Sequence, residues 1–335
     1  MGGNTLSTKK EAYLCLSAML RAREPRLLND ERAGRMLDAA SCEEAAKLLT
    51  DCGYPDMSHA SANEVEQILA ERRNELFDEI ARLSPESALV DVFKLKYDYH
   101  NAKTIIKSEA VGADAKRLLS DAGRVPGDKL LELYNEEHFS RMPPILGKAM
   151  AEAKAVLART ANPQLSDFAL DRAYFEELRG LAEKLDNDFL RGYAEILTDS
   201  ANLKSAVRTL RMGKNQDFLA EVLVDGGSVS VQRIIAAGDR ESLAALYAHT
   251  PLEKAAQLGA EALSGAGMTA FERACDNAVN DYLRSAKLVS YGPEAVIAYL
   301  SAVEGEIQAV RMILTGRLAG VKPETIRERL RDLYA

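Results

Sequence analysis

Two long stretches of the chain repeat apolar and small residues at the spacing of one helix face. The first advances by alternating steps of four and three through Phe189, Tyr193, Ile196, Ser200, Leu203, Val207 and Leu210. The second does the same through Val296, Leu300, Val303, Ile307, Val310 and Leu314. This spacing keeps one stripe on one side of an α-helix for several turns. Each stretch therefore predicts a helix of about 25 residues that packs lengthwise against other helices.

Helix signals also fill much of the remaining sequence. Four segments place Glu three residues after Ser or Thr, a pattern that satisfies free N–H groups at a helix start; they begin at Ser41, Ser61, Thr250 and Thr269. No stretch alternates polar and apolar residues long enough to predict a sheet. Alanine, the strongest helix former, supplies 51 of the 335 residues, and aromatic residues only 6%. The sequence predicts an all-α fold.

Charge and cysteine content exclude several classes of protein. The formal net charge of −8 argues against a nucleic-acid binder, which needs a basic surface to displace counterions from phosphates. The four cysteines form no CxxC pair and have neither zinc-site nor disulfide-scaffold spacing, so we expect buried reduced thiols. No apolar run is long enough to span a bilayer, so we expect a cytoplasmic protein.

A segment of about 100 residues is repeated along the chain. The run 97–107 is followed by Gly112, and 101 residues later the run 198–208 is followed by Gly213. Asn101 and Lys103 of the first copy correspond to Asn202 and Lys204 of the second. Each copy predicts a long helix with a basic end, a glycine break and then short helices.

A third copy and a fainter fourth copy extend the pattern. The third runs from 304 to 311 and on to Gly316, in a register ambiguous by a few residues. The fourth opens the chain, where 13–23 precedes two short helices. The period is too long for a standard solenoid. We predict three helical modules: residues 1–60 together with 265–335, residues 61–165, and residues 166–264.

Residues that could support catalysis do not form a convincing set. His100 has Asp98 and Asn101 close in sequence, but neighbours one or two apart on a helix point in different directions. His138 lacks the Glu-x-x-His spacing of a di-iron bundle. A helical enzyme would need His100 or His138 to meet carboxylates in one pocket. Glycines at 226–227 and 265–267 predict turns, because no phosphate-binding motif surrounds them. We predict no catalytic residue, cofactor or metal site.

Basic residues follow the apolar stretches of the repeats, at Lys107, Arg208, Arg211, Arg311 and Arg317. Two interpretations are open. Cations are favourable at helix C-termini, where they complement the helix dipole. Alternatively, these residues form a positively charged rim that contacts an acidic partner, provided that the modules surround a common axis.

Three stretches of the sequence resemble the C subunit of V-type and A-type rotary ATPases (ATP synthases), the equivalent of the vacuolar ATPase d subunit. The runs 13–28 and 41–54 resemble the start of that family. Asp98-Tyr-His-Asn-Ala-Lys103 resembles its helix with Asp, His and Asn. The end of the chain, 306–320 with 326–330, is the most specific portion.

The resemblance implies more than the residues alone do. It implies a funnel of three similar helical modules in pseudo-threefold arrangement, present in one copy per complex and peripheral to the membrane. It also implies a non-catalytic rotor subunit without a cofactor, whose partners are the central shaft subunits and the membrane proteolipid ring. The repeats alone support an alternative, an all-helical scaffold or adaptor that binds soluble partners.

Overall fold

The computed structural model describes residues 10–335, and this range contains helices and no β-strand. The all-α prediction is confirmed. The α-helices are α1 (Leu14–Arg23), α2 (Asp30–Asp38), α3 (Cys42–Lys47), α4 (Ala62–Leu83), α5 (Ala88–Val111), α6 (Gly127–Asn135), α7 (Pro144–Thr160), α8 (Pro163–Lys184), α9 (Asp188–Arg211), α10 (Gln216–Val222), α11 (Val231–Ala237), α12 (Arg240–Leu246), α13 (Glu253–Leu263), α14 (Met268–Arg284), α15 (Pro293–Leu318) and α16 (Pro323–Arg329). Short 3₁₀ helices occupy Glu24–Arg26, Thr50–Cys52, Lys116–Leu118, Phe139–Arg141 and Ser285–Leu288.

Both long helices predicted from the apolar spacing are present. Helix α9 has 24 residues and α15 has 26. Helix α15 differs from the prediction in one respect, because all its residues from Pro293 to Leu300 are buried. A helix segment that is buried on all sides lies inside a unit and not along its edge.

Two of the four predicted capping segments start helices. Ser61 and Glu64 form a complete capping box at the start of α4, and Ser41 caps α3 through the backbone N–H of Glu44. The other two predictions are wrong. Helix α13 starts after Leu252, so Thr250 lies in the preceding turn. Helix α14 starts after Gly267, which places Thr269 inside its first turn.

The chain forms two compact units. The first comprises the residues up to Leu89 together with His249–Ala335. Its core is built around α15, which contacts α1, α2, α3, α4, α14 and α16. Both ends of the chain therefore contribute to one hydrophobic core.

The second unit comprises Val90–Ala248. Helix α8 lies between α7 and α9 and contacts both. The short helices α10, α11 and α12 follow α9, each in contact with the next. Aromatic pairs join long helices here: Tyr99 of α5 meets Tyr174 of α8 edge to face, with ring centroids 5.6 Å apart.

Glycines with left-handed backbone terminate the long repeat helices. Gly112 follows α5 with φ of +67°, and Gly213 follows α9 with φ of +63°. For the third copy the predicted break is wrong: Gly316 lies within α15, and the left-handed residue is Gly320 at +72°. Left-handed backbone favours glycine, and it lets a helix end by bonding its last carbonyls.

The structure does not test the division into three modules, which stays a prediction.

None of the helices within residues 10–335 is both long and apolar enough to cross a membrane. The four cysteines carry free thiols; Cys52 and Cys275 are buried as expected, Cys42 is half-buried, and Cys15 is exposed, against expectation.

Candidate functional site

Three of the predicted basic site residues belong to the second unit. Lys107, at the end of α5, places its Nζ 2.7 Å from Oδ2 of Asp167 on α8. Arg208 and Arg211 lie exposed in the last turn of α9. Arg208 and Arg211 therefore lie together at the end of α9, and Lys107 forms an ion pair with Asp167 of a neighbouring helix.

The other two belong to the first unit, and both are bonded within it. Arg311 Nε lies 2.7 and 2.9 Å from the two carboxylate oxygens of Glu66 on α4. Arg317 donates to the carbonyls of Leu37 and Ala39, each at 2.7 Å. These carbonyls end α2, so Arg317, which lies in the last turn of α15, also complements the C-terminus of a neighbouring helix.

A buried carboxylate and amide on α5 hold the segment that follows this helix. Asp98 is fully buried, and its Oδ1 accepts the backbone N–H groups of Arg124 and Val125 at 2.8 and 3.2 Å. Asn101, one turn later, bonds both the N–H and the carbonyl of Ser120, at 2.8 and 2.7 Å. These contacts satisfy backbone groups that a loop would otherwise leave unpaired.

The same arrangement recurs on α9. Asp199 accepts the N–H groups of Ser228 and Val229 at 2.9 and 3.2 Å. Asn202 bonds the N–H and the carbonyl of Val224, at 2.9 and 2.8 Å. In both copies of the repeat, the Asp-x-x-Asn pair therefore holds the backbone of the segment that follows its helix.

A glutamate on α15 takes the corresponding position in the first unit. Glu306, 1% exposed, accepts the backbone N–H of Leu28 at 2.6 Å through Oε2. Its Oε1 accepts from the hydroxyl of Tyr54 at 2.8 Å and from Nη2 of Arg72 at 3.0 Å. The segment that it holds comes from the start of the chain and not from the residues after α15.

We call these three carboxylates, Asp98, Asp199 and Glu306, the backbone clamps. Each lies 14 residues before the left-handed glycine that ends its helix. Each accepts an N–H from the residue two positions before a following helix: Val125 before α6, Val229 before α11, and Leu28 before α2. Segments from the start and the end of the chain thus pack in one unit, joined there by Glu306, and their assignment to one copy of the repeat stays a prediction.

A buried ionic network extends the Asp98 clamp to α8. Arg124 bonds Asp98 Oδ2 through Nε and Glu177 Oε1 through Nη1, both at 2.6 Å. The hydroxyl of Tyr99 donates to the other oxygen of Glu177 at 2.9 Å. Burial raises the pKa of Asp98, although the charge of Arg124 opposes this shift. A single guanidinium therefore compensates two carboxylates.

A similar network surrounds Glu306. The guanidinium of Arg72 lies 4.0 Å above the centre of the Tyr54 ring while it bonds Glu306. Arg72 also donates to the carbonyl of Cys52 at 3.2 Å. Burial and the charge of Glu306 raise the pKa of the Tyr54 hydroxyl well above its ordinary value. Tyr54 therefore stays protonated and donates its hydrogen bond.

Glycines make room for two of the clamps. A Cβ atom on Gly123 would overlap the carboxylate of Asp98, and one on Gly227 would overlap that of Asp199. Neither glycine has a positive φ, so the space and not the backbone conformation requires glycine here. Residues 226–227 connect α10 and α11, as predicted. The structure shows in addition that the backbone of Gly227 lies close to the Asp199 carboxylate.

We expect Gly123→Ala and Gly227→Ala each to lower the free energy of unfolding by about 1–3 kcal/mol, the usual cost of overpacking. Gly180→Ala is the matched control, because Gly180 lies within α8 and a methyl group there would meet no neighbouring atom within 4 Å. This control should raise stability by up to about 1 kcal/mol through helix propensity. Urea denaturation measures the free energy of unfolding of all three variants. Equal changes in the three variants would contradict the view that Gly123 and Gly227 make room for the carboxylates.

The histidines do not converge on carboxylates in a shared pocket. His100 Nε2 lies 3.3 Å from the carbonyl oxygen of Leu118, on an exposed surface. His138 Nδ1 lies 3.0 Å from Glu136, also exposed. Across residues 10–335, no group of three or more His, Cys, Asp or Glu side chains is placed to hold a metal ion.

A pocket of about 430 Å³ in the first unit is lined by Arg23, Arg26, Arg72 and Arg82. Two of these arginines are already compensated. Arg23 forms two bonds with Glu79, at 2.7 and 2.8 Å, and Arg72 bonds Glu306. The hydrogen bonds from Arg23 lower the pKa of Glu79 and keep it ionised. The pocket is therefore a polar region whose charges are partly neutralised from within.

Comparison with known proteins finds a family model and relatives that match this chain. The family model described as "ATP synthase (C/AC39) subunit" matches residues 16–329. The C subunit of the A-type ATP synthase of Methanocaldococcus jannaschii is 28% identical, over 96% of this chain and 86% of its own. The C subunit of the V-type sodium ATPase of Enterococcus hirae is 22% identical, over 96% of this chain and 99% of its own. The match spans both structural units and all three backbone clamps, and the chain belongs to the ATP synthase (C/AC39) subunit family.

Proposed function

We propose that this protein is the central-stalk rotor subunit that couples the rotating shaft of a V/A-type ATPase to the membrane proteolipid ring. It transmits torque for ATP-linked transport of protons or sodium ions and does not itself catalyse a reaction. The observation that carries this proposal is the family match over residues 16–329, which includes the core helices of both units. The relatives named as subunits of an A-type ATP synthase and of a V-type sodium ATPase support it.

The backbone clamps suit a subunit that transmits force. A torque-transmitting element must resist local opening of the segments that link its helices. Asp98, Asp199 and Glu306 tie such segments to long helices through charge-assisted hydrogen bonds, each worth about 1.5–3 kcal/mol. Because the three carboxylates are buried, water competes little for these bonds.

The proposal includes the arrangement implied by the resemblance. Three helical modules form a funnel with pseudo-threefold symmetry, in one copy per complex, on the cytoplasmic side and peripheral to the membrane. Basic residues at the helix ends contribute to the partner interface, namely Lys107, Arg208, Arg211, Arg311 and Arg317. Among them, Arg208 and Arg211 form an exposed pair on one helix end.

Affinity capture from detergent-solubilised membranes tests the proposal. We expect the tagged chain to retain both the shaft subunits and the proteolipid ring, identified by mass spectrometry, at one copy of the chain per complex. Capture of soluble partners alone would contradict the rotor assignment and support the adaptor alternative. A stoichiometry other than one would contradict the proposed arrangement.

Reversing the charge of Arg208 and Arg211 together, to Glu, should weaken association with the central shaft subunits about tenfold at low salt. Salt screens exposed charges, so the difference should shrink as ionic strength rises. The matched control is Arg159→Glu with Arg233→Glu, two exposed arginines elsewhere in the second unit. Biolayer interferometry measures the affinities, and an unchanged affinity at low salt would reject this interface.

A further inference from the structure

The arginine-lined pocket of the first unit is built on one face of α4. This helix lines it with Arg72, Glu75, Leu76, Glu79 and Arg82. Steps of three and four residues place side chains on the same side of a helix. The remaining lining comes from the segment 23–27, from residues 52–53 and from α15. All of these elements belong to the first unit, and we call the cavity the arginine pocket.

The charge of the arginine pocket is opposite to that of the chain. Its lining contains four arginines and two glutamates, whereas the chain carries −8. Arginine presents its N–H donors in a planar fork that matches the oxygens of a carboxylate or a phosphate. A concave site with an excess of one charge also raises the local concentration of ions of the opposite charge. The lining therefore favours an anion.

Two arginines of the pocket, Arg26 and Arg82, have no carboxylate partner among residues 10–335. The Nε of Arg82 donates to the carbonyl of Asp78 at 3.3 Å, which leaves both Nη groups free. Arg26 forms no hydrogen bond or ion pair with the residues that the structure describes. Arg23 and Arg72, by contrast, are paired within the unit. Because Arg26 and Arg82 are also exposed, an anion from solution can reach both.

The arginine pocket also offers a hydroxyl and apolar surface. Tyr299 lines it, and burial raises the pKa of the Tyr299 hydroxyl, so this group keeps its proton and can donate a hydrogen bond to an anion. Leu27, Leu76 and Val303 supply the apolar part of the lining. A volume of about 430 Å³ lies within the range of small-molecule sites and exceeds what a single inorganic ion fills. The size therefore favours a molecule with several anionic groups.

We propose that the arginine pocket binds a small soluble polyanion, a molecule with at least two phosphate or carboxylate groups. Arg26 and Arg82 contact the anionic groups directly, and the paired Arg23 and Arg72 form a fixed part of the wall. Glu75 opposes binding, because its carboxylate lines the pocket and pairs with no cation in the part of the chain that the structure describes. The ligand site lies wholly within the first unit and requires no partner subunit.

Isothermal titration calorimetry of the full chain at low salt tests the proposal, with inorganic pyrophosphate and citrate as probes. We expect a Kd of about 1 mM or lower for at least one probe. The two probes determine whether phosphate or carboxylate groups bind more tightly. Binding should weaken as ionic strength rises, since salt screens exposed charges. The bound probe should also raise the Tm of the chain, because it binds the folded state.

Replacing Arg26 and Arg82 together by Gln should raise the Kd of the bound probe at least about tenfold. The matched control is Arg35→Gln with Arg329→Gln, two exposed arginines of the first unit outside the arginine pocket. Its Kd should equal that of the unchanged chain. Unchanged circular-dichroism melting curves without probe show that both variants fold.

Glu75→Gln should have the opposite effect. It removes a negative charge from the lining, so the Kd should fall about two- to fivefold, the effect of one exposed charge pair. A residue that only maintained the shape of the pocket would not tighten binding when replaced. Glu71→Gln is the control, because Glu71 is exposed on the same helix and lies outside the lining.

Three outcomes would overturn the proposal. The first is that neither probe binds. The second is that the chain with Arg26→Gln and Arg82→Gln binds the probes as tightly as the unchanged chain, because the anions would then bind elsewhere. The third is binding to vesicles of anionic phospholipid and to neither soluble probe. All of these measurements use the chain alone, so their failure leaves the rotor assignment standing, and failure of the affinity capture leaves the arginine pocket standing.

Discussion

Replacing Glu306 by alanine is expected to lower the free energy of unfolding by about 3–5 kcal/mol, the usual cost of removing one partner of a buried ion pair. The change leaves the Arg72 guanidinium without its carboxylate and the Tyr54 hydroxyl and Leu28 N–H without their acceptor. The methylene groups of Glu306 also pack in the core, so a cavity adds to the loss. Urea denaturation followed by circular dichroism measures the effect.

Two further variants define the cause. Glu306→Gln keeps one carbonyl oxygen as an acceptor but no charge, so its loss should fall between those of Glu306→Ala and the unchanged chain. Glu328→Ala removes an exposed carboxylate from α16 and should change stability by no more than about 0.5 kcal/mol. A loss for Glu306→Ala no larger than that for Glu328→Ala would show that this clamp does not stabilise the first unit.

The long helices were predictable because their signals are local. The step pattern from Phe189 to Leu210 gives α9 to within a residue at each end. The Ser61 capping box likewise marks the start of α4, since both hydrogen-bonding groups lie within four residues. Thr269 failed as a capping residue because Gly267 starts the helix earlier, and nothing in the local pattern distinguishes the two starts.

The register of the third repeat could not be read from the sequence because its partners are distant. Gly316 and Gly320 look equivalent in sequence, yet a Cβ on Gly316 would crowd Ile326 of α16, while Gly320 supplies the left-handed turn. The clamp itself joins Glu306 to Leu28 across 278 positions. Only the fold shows that the start of the chain packs against α15.

The candidate site was predictable in its residue types and not in its contacts. The basic helix ends are visible in the sequence, but the bonds of Arg317 to the end of α2 depend on the packing of two distant helices. The clamps were missed because a sequence does not reveal that a charge is buried. One signal was available: Asp98-x-x-Asn101 and Asp199-x-x-Asn202 stand at equal distances from Gly112 and Gly213.

Replacing Arg124 by methionine should destabilise the second unit by about 3–5 kcal/mol at pH 8. Methionine fills much of the volume of the arginine stem, so the loss reports the missing charge and hydrogen bonds. Asp98 and Glu177 would then lie buried without their common cation. Both carboxylates come from helices of the hydrophobic core, so neither can move out to water without disrupting packing.

The loss of stability in Arg124→Met should depend on pH, and the titration of Asp98 determines whether the loss grows or shrinks as pH rises. Burial already raises the pKa of this carboxyl above the ordinary 3.8, and removal of Arg124 takes away the main opposing charge. Above pH 3.8 the folded variant therefore holds a proton that the unfolded chain releases. The contribution of Asp98 to stability is therefore greatest below that pH, and it falls as pH rises from 3.8 through the raised pKa of the folded variant.

Thermal melts of Arg124→Met at pH 5 and pH 8 measure this dependence, with Arg117→Met as the control, because Arg117 is exposed. Adding Asp98→Asn to Arg124→Met removes the uncompensated charge, while the amide oxygen still accepts the backbone N–H groups of positions 124 and 125. The double variant should therefore recover part of the loss at pH 8 and lose the pH dependence that Asp98 causes. An equal loss in the single and double variants at both pH values would mean that packing, and not the buried charge of Asp98, determines the stability contributed by Arg124.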